Sequence, residues 1–64
     1  MIYDNIVKLC NEKNISIARL EKEVGLGNAT IRGWDKSSPT VENIRRVAGF
    51  FGVTVDDLIK EESN

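Results

Sequence analysis

The chemistry-bearing stretch of this chain is Gly25-Leu26-Gly27-Asn28-Ala29-Thr30-Ile31-Arg32-Gly33-Trp34-Asp35-Lys36. It reads as a turn followed by a short helix. At 3.6 residues per turn each position advances about 100°. With Asn28 at zero, Arg32, Lys36, Ala29 and Gly33 fall within the next ~140° of arc, and Thr30, Ile31 and Trp34 fall between about 200° and 300°. Ile31 and Trp34 then serve as anchors into a core. The opposite face carries an amide suited to adenine, a methyl suited to thymine and a guanidinium that can fork onto guanine. It also has a glycine that permits close approach. That is the chemistry of reading base edges in a DNA groove. From this stretch alone, an ordinary surface helix is the other reading.

Other chemistries fall away on composition. The chain has no His and one Cys. The usual general base near neutral pH is missing, and Cys10 lies mid-helix with no imidazole to activate it. One Cys allows no internal disulfide, and a structural zinc site of the Cys/His type is excluded. Cys10 reads as a small buried hydrophobe in a reducing compartment. Gly25-Leu26-Gly27 lacks the third glycine and the preceding strand of a dinucleotide loop. Asp56-Asp57 and Glu61-Glu62 are adjacent pairs that point about 100° apart on a helix, so neither converges on an ion. They read as complements to a helix dipole and as solvated surface. No enzyme, cofactor, metal or small-molecule substrate is expected. No apolar run approaches the roughly 20 residues of a membrane span, and the first residues lack the basic region of a signal peptide. The expectation is a soluble cytoplasmic protein.

The formal net charge of −1, taken as a sum, argues against a polyanionic partner. Its distribution argues otherwise. Residues 28–46 hold Arg32, Lys36, Arg45 and Arg46 against Asp35 and Glu42, a local net charge of +2, and the remainder carries −3. A basic patch on an acidic small domain remains compatible with DNA, with weak non-specific binding and a modest salt slope.

Helices must position this stretch. Ile2, Ile6 and Leu9 recur at helical spacing, with Tyr3, Val7 and Cys10 beside them, and predict a helix from Ile2 to about Glu12. Residues 11–14 are a polar connector. Ser16 is a good N-cap for a second helix over 16–24, striped by Ile17, Leu20 and Val24 and ended by Gly25. Leu26 points inward, and Gly27 caps a third helix. Residues 37–40 form a loop, and Thr40 caps a fourth helix striped by Val41, Ile44, Val47, Ala48 and Phe51 and closed by Gly52. Thr54 followed by Asp56 and Asp57 reads as the start of a fifth helix, not a strand. Leu58 and Ile59 complete the core, and residues 60–64 are a frayed acidic tail. Phe50 lies off the fourth stripe, either tucked under the first helix or part of a subunit contact. Trp34 is read as core, though it could stack on a base. One domain of five short helices, all α, spans residues 1–64. At this length only about 60% of the unfolded surface is hidden, so each apolar position must be well placed.

Ser16 to Trp34 resembles the helix-turn-helix of the phage repressor and Cro family, the xenobiotic-response-element type, with the motif at about 16–36. The matching positions are Leu20, Val24, Gly25, Leu26, Thr30, Ile31 and Trp34. Residues 38–44 resemble the family's loop and fourth-helix start. Residues 48–58 resemble its ending. The ordered set covers nearly the whole chain and is closest in flavour to repressor-like proteins of low-GC Gram-positive bacteria and their prophages.

The resemblance implies a five-helix, lambda-repressor-like DNA-binding domain whose third helix, about 28–35, enters the major groove. Asn28, Ala29, Arg32 and Gly33 then sit at base-reading positions. Ser16, Ile17, Lys36, Ser37 and Ser38 sit where phosphates are held, partly through backbone N–H groups, and Thr40 and Arg45 flank them. Arg46 reads as a flanking contact or as plain surface. Two positions depart from the family. Ile17 replaces a phosphate-clamping Gln. Glu21 replaces a small Ala where the motif helices touch, so it must lean out or find a partner such as Arg32. The implied function is a transcriptional repressor binding a palindromic site in double-stranded DNA as a homodimer, with Phe50, Phe51, Val53, Val55 and Ile59 as candidate interface. The chain reads as a complete small regulator or as the DNA-binding part of a longer one. The alternative is a protein-interaction module of the same fold, antitoxin- or antirepressor-like, favoured by the acidic balance, Ile17 and Glu21.

Overall fold

The computed structural model describes residues 2–60. They form four α-helices and one 3-10 helix: α1 (Ile2–Lys13), α2 (Ile17–Glu23), η1 (Arg32–Asp35), α3 (Val41–Phe51) and α4 (Val55–Ile59), with no strand among the described residues. The architecture is all-α, as expected. The acidic tail, apart from Lys60, lies outside the described residues.

Three helices end by one device. Asn14, Gly25 and Gly52 each adopt a positive φ, of 59°, 77° and 71°. The residue after each donates its N–H five residues back: Ile15 to the Cys10 carbonyl at 3.0 Å, Leu26 to Glu21 at 2.8 Å, Val53 to Ala48 at 3.0 Å. The left-handed residue itself donates three residues back. This is the Schellman arrangement, which satisfies the last carbonyls and turns an apolar residue toward the core. Thus α1 runs through Lys13, one residue past the predicted end, and Asn14 is a cap within the expected connector.

Helix starts are equally explicit. The side chains of Ser16, Thr40 and Thr54 accept hydrogen bonds from the backbone N–H groups of Arg19, Asn43 and Asp57. Each such cap contributes about 1 kcal/mol. At two junctions cap follows cap directly, as Asn14-Ile15-Ser16 and Gly52-Val53-Thr54, so the chain reverses direction in very few residues. The predicted body of α2 is shortened because Ser16 and Val24 are its caps.

The third helix is the main correction. It is not an α-helix over 28–35 but turns across 28–31 followed by η1. Its hydrogen bonds, Thr30 to Gly27, Gly33 to Thr30, Trp34 to Ile31 and Lys36 to Gly33, each span three residues. Ala29 has φ +65°, which no α-helix accommodates. Gly27 and Gly33 each disfavour an α-helix by about 1 kcal/mol, and Thr30 and Ile31 are β-branched. Gly27 makes no side-chain cap; its carbonyl accepts from Thr30. The division of faces survives the change of winding: Ile31 and Trp34 are buried, while Asn28, Ala29, Arg32, Gly33 and Lys36 are exposed.

One core holds these pieces: Ile6, Cys10, Leu20, Ile31, Trp34, Val47, Ala48, Phe51 and Leu58. Helix α1 packs against α2, η1 and α4, and α3 packs against α4. Buried Asn5 donates from Nδ2 to the carbonyls of Leu58 at 2.6 Å and Lys60 at 2.9 Å, fastening α1 to the end of α4. Val41 and Ile59 are not core residues, being 63% and 46% exposed. They are the first residue of α3 and the last of α4, where an apolar stripe runs past the edge of the packed interior. Phe50 is 41% exposed and not tucked under α1. It stands edge-on to Phe51 with ring centroids 5.2 Å apart. Phe51 is buried and leaves the predicted interface set.

Candidate nucleic-acid interface

Helix α2 and the segment 28–35 meet through a buried carboxylate. Glu21 lies on the apolar side of α2 with Ile17, Leu20 and Val24 and is only 3% exposed. Its Oε1 accepts from the Ala29 N–H at 3.1 Å and its Oε2 from the Ile31 N–H at 2.8 Å. Alternate N–H groups aimed at one anion form a backbone nest, and the left-handed turn at Ala29 makes that geometry possible. A non-glycine residue in this conformation costs about 1–2 kcal/mol. Hydrogen bonds to a carboxylate offset it, being roughly twice as strong as neutral ones. Glu21 therefore neither leans out nor pairs with Arg32. Of the two alternatives expected, the structure meets the second, a partner, with two backbone N–H groups in place of Arg32.

A notch of about 230 Å³ opens beside this junction, lined by Ile17, Ala18, Glu21, Asn28, Ala29 and Arg32. It brings together three of the four predicted base-reading residues and one predicted phosphate contact. Gly33 stands apart on the exposed side of η1, with nothing within 4 Å of where a Cβ would be. The side chain of Arg32 makes no hydrogen bond or ion pair among the described residues, and neither do those of Lys36 and Arg45. By contrast Arg19 is held by Glu23 at 2.7 Å and Arg46 by Glu42 at 3.1 Å. Arg46 also leans over the turn, its Nη1 3.7 Å from where a Cβ on Gly25 would sit. Of the two readings of Arg46, a flanking phosphate contact or plain surface, its pairing with Glu42 favours plain surface.

The remaining predicted contacts are scattered along two loops. Ser16 and Thr40 use their oxygens as caps, and the Ser37 hydroxyl donates to the Gly33 carbonyl at 3.3 Å. Lys36, Ser37 and Ser38 border a different groove, floored by Trp34, Pro39 and Ile44. Sequence reasoning missed Ala18, whose position on α2 faces the notch. It noticed Glu21 but misplaced its partners. The signal was available: a carboxylate in the apolar stripe of α2 needs internal donors. Burial pushes the Cys10 thiol up, consistent with an inert core residue. Among the described residues no three His, Cys, Asp or Glu side chains converge as a metal site would require, and no helix is long and apolar enough to cross a membrane.

Two helical pieces, α2 and η1, linked by the Gly25 turn and the segment 26–31, with the Arg32 guanidinium exposed beside the Asn28 amide and the Ala29 methyl, define a helix-turn-helix domain. The family model described as Helix-turn-helix matches residues 6–58. The chain belongs to that family, in its Cro/C1 type, and is thereby a DNA-binding regulator with double-stranded DNA as its partner class. Comparisons with curated proteins and with solved structures gave no match.

Proposed function

We propose that the protein is a sequence-specific transcriptional repressor that binds a palindromic operator as a homodimer, residues 28–35 entering the major groove. The observation that carries this is the unpaired Arg32 guanidinium at the notch it shares with Asn28 and Ala29. An exposed arginine beside carboxylates tends to pair with one, as Arg19 and Arg46 do here. Arg32 stays unpaired because the one carboxylate in its notch, Glu21, is taken by backbone N–H groups, and a guanidinium so left suits bidentate contact with guanine. Asn28 and Ala29 read neighbouring bases, and Gly33 lets the backbone approach. Lys36 and Arg45 supply phosphate charge. Ser16, Ile17, Ser37, Ser38 and Thr40 fix register through hydroxyl or backbone N–H groups. Groove occupancy by such a domain blocks transcription most directly, which is the basis for repression.

The interaction-module reading loses one of its supports, because Glu21 is consumed inside the fold and does not oppose a phosphate. The deciding experiment is enrichment from a random duplex library at about 50 and 150 mM salt, a range over which phosphate contacts weaken measurably. The expected result is a palindromic motif with half-sites about one helical turn apart, lost in Arg32→Ala. No enrichment from folded protein at the lower salt would reject operator binding.

A further inference from the structure

We infer that Glu21, almost fully buried at the base of the notch, is the positioning residue that sets the sequence selectivity of residues 28–32. This rests on the operator-binding reading above and adds to it where selectivity originates.

The argument starts from backbone shape. Residues 28–31 lack the repeating bonds of an α-helix, and η1 begins only at Arg32. The entry to the reading segment is therefore held only in part by its own winding, through the Thr30 N–H on the Gly27 carbonyl. Two of its N–H groups, those of Ala29 and Ile31, are held by one side chain instead. Ala29 is a proposed base reader. Ile31 is the fully buried anchor that immediately precedes Arg32. Shifting either bond shifts where Asn28, Ala29 and Arg32 meet a base edge, and bidentate readout tolerates little displacement.

The chemistry requires a carboxylate in this place. Both Glu21 oxygens are acceptors, each facing a different N–H. A glutamine of the same length offers one acceptor and one donor, so one amide would face an NH₂ group. An aspartate is shorter by one methylene and cannot span both amides. Neither substitution touches Lys36, Arg45 or the N-terminus of α2, so contacts to phosphate are left intact. Loss of Glu21 geometry should therefore reduce discrimination between sequences and spare general affinity for duplex DNA.

The test uses the full chain with Glu21→Gln and Glu21→Asp beside wild type and Arg32→Ala. Folding is followed by circular dichroism, and the Ala29 and Ile31 amides by NMR. Affinities are measured for the enriched operator and for a scrambled duplex. The expected outcome is a folded variant with displaced Ala29 and Ile31 resonances. Its operator-to-scrambled affinity ratio should fall about tenfold or more, with scrambled-duplex affinity changed less than about twofold. A folded variant with an unchanged ratio overturns the inference while operator binding by wild type stands. Equal losses on both duplexes overturn it as well, since that is a merely structural effect. If neither variant folds, the carboxylate serves the whole domain and the inference falls. Absence of any selectivity in wild type removes the operator reading and this inference together.

Discussion

Gly33 is exposed on η1, its φ lies outside the left-handed region, and a Cβ there meets no atom within 4 Å. Nothing inside the molecule requires glycine at this position. Alanine there should leave the fold intact or raise its stability by up to about 1 kcal/mol, because glycine carries the larger entropy cost of ordering. If Gly33 lets the backbone approach base edges, the same methyl obstructs the groove. Gly33→Ala is thus expected to melt at the same or a higher temperature and to bind the operator at least about tenfold more weakly, read by thermal unfolding and DNA titration. Unchanged affinity would place the backbone away from the bases. Residue types in this segment were legible beforehand because exposure and burial depend on spacing: Ile31 and Trp34 went in, and Asn28 and Arg32 stayed out. That Glu21 needs internal donors was legible from its place in the α2 stripe, but which donors it finds was not. The bonds join residues eight and ten positions apart through a left-handed turn at an alanine, and no local preference announces that conformation.

The elements owe their limits to short polar signals. Ser16, Thr40 and Thr54 were readable as caps because a hydroxyl before an apolar run satisfies an N–H that the helix cannot. Gly25 and Gly52 were readable because positive φ costs them little. Asn14 was overlooked, although asparagine is the next best residue for that turn. The winding of η1 was unreadable, since an α-helix and a 3-10 helix over so short a stretch both turn Ile31 and Trp34 inward. At Thr54 the cap is reciprocal. Thr54 Oγ1 accepts from the Asp57 N–H, and Asp57 Oδ2 accepts from the Thr54 N–H, both at 3.1 Å. These bonds, with Lys60 nearby, hold the Asp57 carboxyl below the usual aspartate range. A group whose pKa is depressed by folding adds stability above its unfolded value and loses it as pH falls through the folded one. The contribution of Asp57 is therefore present at neutral pH and disappears below about pH 4, where free aspartate titrates. Asp57→Asn should melt lower than wild type at pH 7, and the two melting curves should converge as the pH is lowered toward about 2. A gap that persists undiminished would show that the charge of Asp57 does not contribute.

For the whole molecule the question is how so small a proposed reading surface would hold an operator. One domain offers the four readers proposed above and few cations for phosphate, and the chain as a whole is slightly acidic. Pairing two copies on a two-fold site doubles the contacts within one binding event, which is why a dimer is part of the proposal. The described surface limits where that pairing forms. Phe51 is committed to the core, and Val53 and Val55 are half-buried. Phe50 and Ile59 remain exposed, each near the end of one of two helices that pack together, α3 and α4. A lone exposed apolar residue is unremarkable on any protein. An exposed phenylalanine and isoleucine on adjoining helices, in a chain whose proposed task needs a two-fold partner, make the C-terminal helices the expected contact. Phe50 makes only an edge contact with Phe51, so Phe50→Ser should remain folded. It should sediment as a monomer at concentrations where wild type is a dimer. Its operator titration should lose steepness and shift to about tenfold higher concentration, while its affinity for an isolated half-site stays the same. A variant that still binds the full operator as steeply and as tightly as wild type would exclude Phe50 from the dimer contact and direct attention to Val41, the remaining large apolar residue exposed on the described surface.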